Sequence, residues 1–346
     1  MSNKKYDLLV YIGRFQPVHN AHAEIIRRAA QLTDHLVIIV GSSDQPRTYK
    51  NPWIWHERRD MIQAVANQIE ASDDFHIDIE FNTDTIYNDQ AWAIRVQSIV
   101  SEHAHLNSDA KIGIIGHKKD ESSFYLDMFP QWQLEEVELI EPLNATNVRD
   151  LYFKKECNMN FIKGVVPPAV AKFLEEFKAT PDYHQIIRER EFVAAYKKQY
   201  ESLPYPPIFV TSDAVVICSG HVLMIKRRAE PGKGLWALPG GFVNANTDKS
   251  IKDAMIRELR EETGIKVPVP VLIGSIQDNR VFDAVDRSAR GRTITHAFKI
   301  MLSDGPLPKV KGQDDAEKAK WIPIADLDSS VCFEDHYEII SHFVGA

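Results

Sequence analysis

The sequence predicts an α/β protein in two parts: an N-terminal parallel sheet with helices on both faces, followed by a mixed α/β half. Apolar runs of strand length alternate with helix-period segments through residues 1–180, the pattern of parallel strands joined by right-handed crossovers. The rigid stretch LPYPP at 203–207 then interrupts the chain. Beyond it the pattern changes to paired strand-like runs around one strong helix.

LLVYI (8–12), LVIIVG (36–41), FHIDIEF (75–81), KIGIIG (111–116) and WQLEEVELI (132–140) read as strands. FHIDIEF alternates, placing Phe75, Ile77, Ile79 and Phe81 on one face, whereas LVIIVG and KIGIIG are continuous, as in strands covered on both sides. Helical patterns at 21–32, 57–70 and 89–104 fill the intervals, with more near 146–156, 168–178 and 183–200. Ligands of such sheets bind at the carboxyl ends of the strands. GRFQPVHNAH (13–22), GSSDQPR (41–47) and GHKKD (116–120) all fall at that edge. In the second half, SDAVVIC and HVLMIKR flank Ser219-Gly220 as a hairpin, a helix over about 249–263 stops at Gly264, and VLIGSI (271–276) and ITHAFKIML (294–302) read as strands. The expected domains are 1–180 and 208–346, joined by a helical and proline-rich linker at 181–207.

Composition narrows the function classes. The chain has 346 residues, 44% of them apolar, enough for two ordinary cores. A formal charge of −8 argues against broad nucleic-acid binding. Cys157, Cys218 and Cys332 lie far apart with no CxxC pair, which points to a reducing compartment rather than a disulfide framework. The start, MSNKKYDLLVYIGRF, carries no signal-peptide core, and no run approaches the ~18–20 apolar residues of a membrane helix. The expectation is a cytoplasmic protein with no membrane and no nucleic-acid partner.

In GRFQPVHNAH, Gly13 permits close backbone approach and Pro17 fixes the loop. His19 lies before the helix and His22 at its first turn, where unpaired amides favour an anion; Arg14 adds a permanent cation. The set suits a triphosphate, and it differs from the GxGxxG and GxxxxGK[ST] loops. It resembles the first signature of the nucleotidyltransferase superfamily, Gly-x-Phe-x-Pro-x-x-x-(His/Thr)-x-x-His. GSSDQPRTYKNPWIWHERRDMI (41–62) resembles the archaeal-type nicotinamide-mononucleotide adenylyltransferases, through NPW and Glu57-Arg58. NATNVRD (144–150) resembles the second signature, Ser-x-Thr-x-x-Arg, with Asn144 in place of Ser.

That resemblance covers about the first 180 residues and implies a Rossmann-like sheet and in-line transfer of AMP from ATP to the mononucleotide. Gly13, Arg14, Phe15, His19, His22, Thr146 and Arg149 are then expected to bind ATP. His19, His22 and Arg149 would act catalytically, Arg149 at the leaving pyrophosphate, and Thr146 would cap the helix presenting it. Trp92, Val96, Ile99 and His103 follow helical spacing, which suits burial. The family pattern instead sets Asn88 and Trp92 of NDQAW against the nicotinamide ring.

The stretch LWALPGGFVNANTDKSIKDAMIRELREETGI (235–265) carries a second chemistry. Glu258, Glu261 and Glu262 cluster on one helical face, either as a solvated face paired with Arg257 and Arg260 or as oxygen ligands for a divalent ion. GG at 240–241, REL-x-EE at 257–262 and Gly264 resemble the Nudix hydrolase box, G-x5-E-x7-R-E-U-x-E-E-x-G-U. The helix half matches. REL, however, lies two residues too far from Gly241, and the first Glu of the box falls at Lys249, so its role is lost or passes to Asp248.

FDAVDRSARGRTITHAF (282–298) resembles Nudix ADP-ribose pyrophosphatases fused to this adenylyltransferase. Arg287, Arg290 and Arg292 could neutralise ADP-ribose phosphates or form a basic loop. The implied metal ligands are Glu258, Glu261 and Glu262, holding Mg²⁺ or alternatively Mn²⁺, with Glu261 and Glu262 catalytic. Glu262, Glu334 and Asp335 are the candidate general bases. The resemblance thus implies a bifunctional enzyme that joins ATP to nicotinamide mononucleotide and hydrolyses ADP-ribose. The alternatives are a non-hydrolytic ADP-ribose sensor in the second half, or a transferase preferring nicotinate mononucleotide. Nudix ADP-ribose hydrolases often pair, so the resemblance allows a homodimer.

Overall fold

A computed structural model describes residues 4–104, 110–118, 121–138 and 144–345. The chain divides into two compact units, 1–187 and 188–346.

In the first unit, β1 (Leu8–Gly13), β2 (His35–Val40), β3 (His76–Phe81), β4 (Ile112–Gly116) and β5 (Gln133–Glu136) form a sheet in the order β3-β2-β1-β4-β5, all pairs parallel. Residues 139–140 of the expected fifth strand lie outside the described residues. Successive residues of β1 and β2 enter opposite cores. Leu9, Tyr11, Leu36 and Ile38 join one apolar cluster, while Leu8, Val10, Val37 and Ile39 join the other. Burial on both faces is why these runs are continuous rather than alternating. The crossovers are α1 (Asn20–Leu32), α2 (Trp55–Ala66) and α3 (Asp89–His103). After β5 come α4 (Ala145–Tyr152), α5 (Met159–Val165), α6 (Pro168–Phe177) and α7 (Pro181–Lys198). The break between units falls within α7.

The second unit is a mixed sheet in the order β10-β11-β6-β7-β12, from β6 (Phe209–Cys218), β7 (His221–Arg227), β10 (Ile276–Phe282), β11 (Thr293–Met301) and β12 (Ala316–Pro323). The short strands β8 (Trp236–Ala237) and β9 (Gly240–Phe242) pair with β7 and β6. Ser219 and Gly220, at φ +45° and +72°, make the tight β6–β7 turn, as a two-residue hairpin loop requires. Helix α8 (Ile251–Thr263) buries Met255, Ile256 and Leu259 against β6.

VLIGSI is not a strand. Residues 269–274 form α9 (Val269–Gly274), begun at Pro268 with Pro270 in its first turn, and β10 starts only at Ile276. Proline is pre-set for a helical first turn, and this outweighs the β-preference of so short an apolar run. Helix α10 (His336–Val344) closes the chain. No helix among the described residues is long and apolar enough to cross a membrane.

Candidate active sites

The loop after β1 builds the first site. Phe15 takes a left-handed conformation, φ +52°, and its ring lies where a side chain at position 13 would point, 2.9 Å from a Cβ added to Gly13. Glycine is therefore needed here to admit Phe15. His19 is the N-cap of α1 and is buried. His22 Nδ1 accepts from the His19 backbone N–H at 3.1 Å, and the two rings stack 3.8 Å apart. With Nδ1 accepting, Nε2 carries the proton of neutral His22.

Arg14 is held over the same loop by the Lys50 carbonyl (2.9 Å) and by Asn51. Gln16 and Trp53 exchange side-chain and backbone hydrogen bonds at 2.9 and 3.1 Å, locking the loops after β1 and β2 together. Arg58, almost wholly buried, donates to the carbonyls of Arg14 (2.8 Å), Gly41 (2.6 Å) and Ser42 (2.9 Å).

Arg149 on α4 is buried and donates to the Gln16 carbonyl (2.7 Å) and Thr146 Oγ1 (3.1 Å). Burial, reinforced by the charge of Arg14, lowers its pKa to about 10, still well above neutrality. The cap of α4 is Asn144, whose Oδ1 accepts from Asn147 N–H at 2.9 Å; Thr146 sits in the first turn and receives Arg149. Asn substitutes for Ser here without loss because either oxygen caps a helix equally well.

One cavity of about 530 Å³ is lined by Gly13, Arg14, Phe15, His19, His22, Thr146 and Arg149, and also by Trp92. Trp92 is half-buried and does two things: it packs beside Tyr125 and Phe129 and it faces the cavity. Asn88 does not line the cavity, although its neighbour Asp89 does. Asn88 is exposed, and its Oδ1 caps α3 by accepting from Ala91 N–H at 3.0 Å. Of GHKKD, His117 lines the cavity, while Lys119 and Asp120 lie outside the described residues.

The second site is built on α8 and on β9, which lies beside it. Glu262 is buried and its Oε2 accepts from Gly240 N–H at 2.9 Å. A Cβ at Gly241 would stand 2.6 Å from Glu258 Oε1, so glycine lets β9 pass directly against that carboxylate. Arg257 Nη1 donates to Glu258 (2.7 Å) and Glu261 (3.0 Å), which places both carboxylates around one nitrogen. Its Nε and Nη2 grip Asp248 at 2.9 and 2.8 Å. This bond holds the Asp248 carboxyl down at about 2. Asp248 is thus the carboxylate paired with Arg257, and Lys249 is exposed.

Arg287 lies in the segment after β10. It is buried in a two-pronged ion pair with Asp335, at 2.8 and 2.7 Å, with side chains 3% and 0% exposed. The pair sets two opposite charges against each other in a buried setting. Arg290 lies 4.9 Å from the Phe242 ring centroid, and Arg292 is half-buried beside the start of β6, its carbonyl accepting from Phe209. Glu334 has φ +46° and accepts from Ala289 N–H at 3.1 Å.

Comparison with known proteins follows the same division. The Cytidylyltransferase-like family matches residues 10–164 and the NUDIX domain matches 209–343. A nicotinamide/nicotinic acid mononucleotide adenylyltransferase of Acinetobacter baylyi is 38% identical over 183 residues, 53% of this chain and 92% of that protein. An ADP-ribose pyrophosphatase of Methanocaldococcus jannaschii is 32% identical over 160 residues, 46% of this chain and 83% of that protein. A bifunctional NMN adenylyltransferase/ADP ribose pyrophosphatase of Francisella tularensis, complexed with AMP and a manganese ion, superposes with a TM-score of 0.90 at 35% identity, covering 98% of this chain and 99% of that one. The chain belongs to this bifunctional family.

For a member of the bifunctional family, the second site must accommodate a divalent ion, and its residues fit one. Burial, opposed by the Gly240 N–H and reinforced by the Glu258 charge, pushes the Glu262 carboxyl up to about 8. Burial likewise raises Glu258. Such crowded hard oxygens are the donor set a divalent cation stabilises in its charged form. Two positioning residues escaped the sequence reading. Arg58 was visible only as part of a family pattern. His336, buried, accepts from Leu238 N–H through Nδ1 at 2.8 Å and ties the FEDH segment to the LPGG turn.

Proposed function

We propose that residues 1–180 transfer AMP from ATP to nicotinamide mononucleotide, giving NAD and pyrophosphate, and that residues 208–346 hydrolyse ADP-ribose to AMP and ribose 5-phosphate, with 181–207 as the connection. The observation that carries this reading is that each unit gathers charged side chains in one place: Arg14, His19, His22 and Arg149 on one cavity, and Glu258, Glu261 and Glu262 on one helix face. The first reaction needs no protein nucleophile. A phosphate oxygen of the mononucleotide attacks the α-phosphorus of ATP, and the bond to pyrophosphate breaks in line. Catalysis is positioning and charge stabilisation. His19, His22 and Arg14 hold the triphosphate; Arg149 receives the charge that develops on pyrophosphate.

At the second site Glu258, Glu261 and Glu262 would hold Mg²⁺ or Mn²⁺, which supplies Lewis-acid activation of water and phosphate when bound. Glu334 is assigned as general base, because Asp335 is committed to Arg287 and Glu262 to the ion. Arg290 and Arg292 remain as the phosphate-facing cations of that loop. The substrates are small molecules, and the setting is the cytoplasm. Identification of the products from ATP with each mononucleotide, and from ADP-ribose alone, tests the proposal.

Two variants test finer assignments. Trp92→Ala should raise KM for the mononucleotide at least about tenfold more than KM for ATP, since a ring stacked on the pyridinium contributes binding specifically. A collapsed melting temperature with an unchanged mononucleotide KM would assign Trp92 to packing alone. Asp248→Ala should slow ADP-ribose hydrolysis by about 10–100-fold, because Arg257 loses the partner that fixes it against Glu258 and Glu261. Lys249→Glu, at an exposed position, should alter the rate by no more than about twofold. Steady-state kinetics reads both, and a reversed order would return the missing role to position 249.

A further inference from the structure

The amino ends of the parallel strands carry side chains that neither active site uses. His35 opens β2 and His76 opens β3. They are register partners on adjacent strands, and their rings stack 4.2 Å apart. Asp78 and Glu80 follow His76 at two-residue steps and so share its face. This is the face α3 covers, since Val37 and Ile39, two and four residues from His35, cluster with Val96 and Val100. His103, the last residue of α3, reaches the same place from the helical layer. Asp78 Oδ2 lies 2.8 Å from His35 Nε2 and 3.1 Å from His103 Nδ1, and His103 Nε2 lies 2.9 Å from Glu80 Oε1. One ligand atom from each of His35, His76 and Asp78 falls within 4.8 Å of the other two.

We propose that His35, His76 and Asp78 bind one transition-metal ion of the zinc class, with His103 orienting Asp78 from the outer shell. Two imidazoles and a carboxylate select such ions over Mg²⁺ or Ca²⁺, which take all-oxygen sets, and this distinguishes the site from the carboxylates of α8. Zinc bonds of about 2.0–2.2 Å put neighbouring donors roughly 3.3 Å apart, so ligand atoms already within 4.8 Å of one another need to approach by no more than about 1.5 Å. His103 lies between Asp78 and Glu80, and a hydrogen bond of this kind to a ligating carboxylate fixes its orientation. Burial lowers the His35 pKa against the opposing pull of Asp78, and the neutral imidazole is the ligating form. The two ligating strands and the end of α3 come from separate stretches of chain. Bound metal therefore ties the edge strand β3 to β2 and to the helix that carries Trp92, so its effect is on the stability of the first unit.

The test uses full-length untagged protein stripped of metal, titrated with Zn²⁺ while the imidazole resonances are followed by NMR. One equivalent should shift His35 and His76 and raise the melting temperature of the first unit. His76 is exposed, so His76→Ala should fold normally in the absence of metal, yet weaken zinc binding at these resonances at least about tenfold. Asp78→Asn should do the same. In Mg²⁺ without zinc, both variants should retain both activities. Stoichiometric zinc that leaves the His35 and His76 resonances unmoved, or equal affinity in wild type and His76→Ala, would overturn the proposal.

Discussion

Replacing Arg149 by alanine is expected to abolish NAD formation while leaving ADP-ribose hydrolysis at the wild-type rate. Arg149 stays charged in its buried setting, with Gln16 and Thr146 fixing its orientation and Arg14 on the same cavity. A preoriented cation needs no reorganisation as charge builds on the leaving pyrophosphate. Removing one such donor costs about 2–4 kcal/mol of barrier, roughly 30- to 900-fold in rate. Because the alanine variant also empties a buried position, Arg149→Lys is the companion: it keeps a charge but cannot span Gln16 and Thr146 together, so synthesis should still fall. His22→Ala should lose synthesis in the same way. Wild-type synthesis by any of these variants, measured as NAD released from ATP and mononucleotide, would contradict the assignment of the first site.

Glu261→Gln should lower ADP-ribose hydrolysis at least about a hundredfold, the several kcal/mol expected when a ligand of a water-activating metal is lost. The substitution is nearly isosteric and partly exposed, with the Glu261 side chain 45% exposed. Arg257 keeps Asp248 and Glu258, so the helix and its loop remain in place. NAD formation should not change. The sensor alternative makes the opposite forecast: wild-type protein would bind ADP-ribose, release no AMP, and show nothing for Glu261→Gln to remove. Release of AMP with Mg²⁺ or Mn²⁺, timed by chromatography, separates the two.

The fold was most legible where burial is extreme. LLVYI and LVIIV are continuous because both sides of the sheet are covered, and their β-branched content favours strands. VLIGSI misled for a related reason: a brief apolar run carries no period, and the prolines at 268 and 270 decided its conformation. The clustering of Glu258, Glu261 and Glu262 on α8 was readable because helical spacing alone brings them to one face. Arg287 was not readable. A charge in an irregular segment looks available for a ligand, and its partner Asp335 lies 48 residues away, a pairing that only the folded chain brings about. The cap made by Asn88 was not readable either: the same short polar side chain that suits a carboxamide also caps a helix, and the cap is satisfied locally. In the irregular box, Asp248 reaches Arg257 while the next position, Lys249, turns to solvent, an arrangement that spacing alone does not fix.

The most direct test of the two-site account is product analysis by phosphorus NMR. Wild type, Arg149→Ala and Glu261→Gln are each given ATP, nicotinamide mononucleotide and ADP-ribose with Mg²⁺, and then with Mn²⁺. The account predicts NAD, pyrophosphate, AMP and ribose 5-phosphate from wild type. Arg149→Ala should yield only the hydrolysis products, and Glu261→Gln only NAD and pyrophosphate. Loss of both product sets from either single variant, or wild-type protein that releases no AMP with either metal, would contradict it.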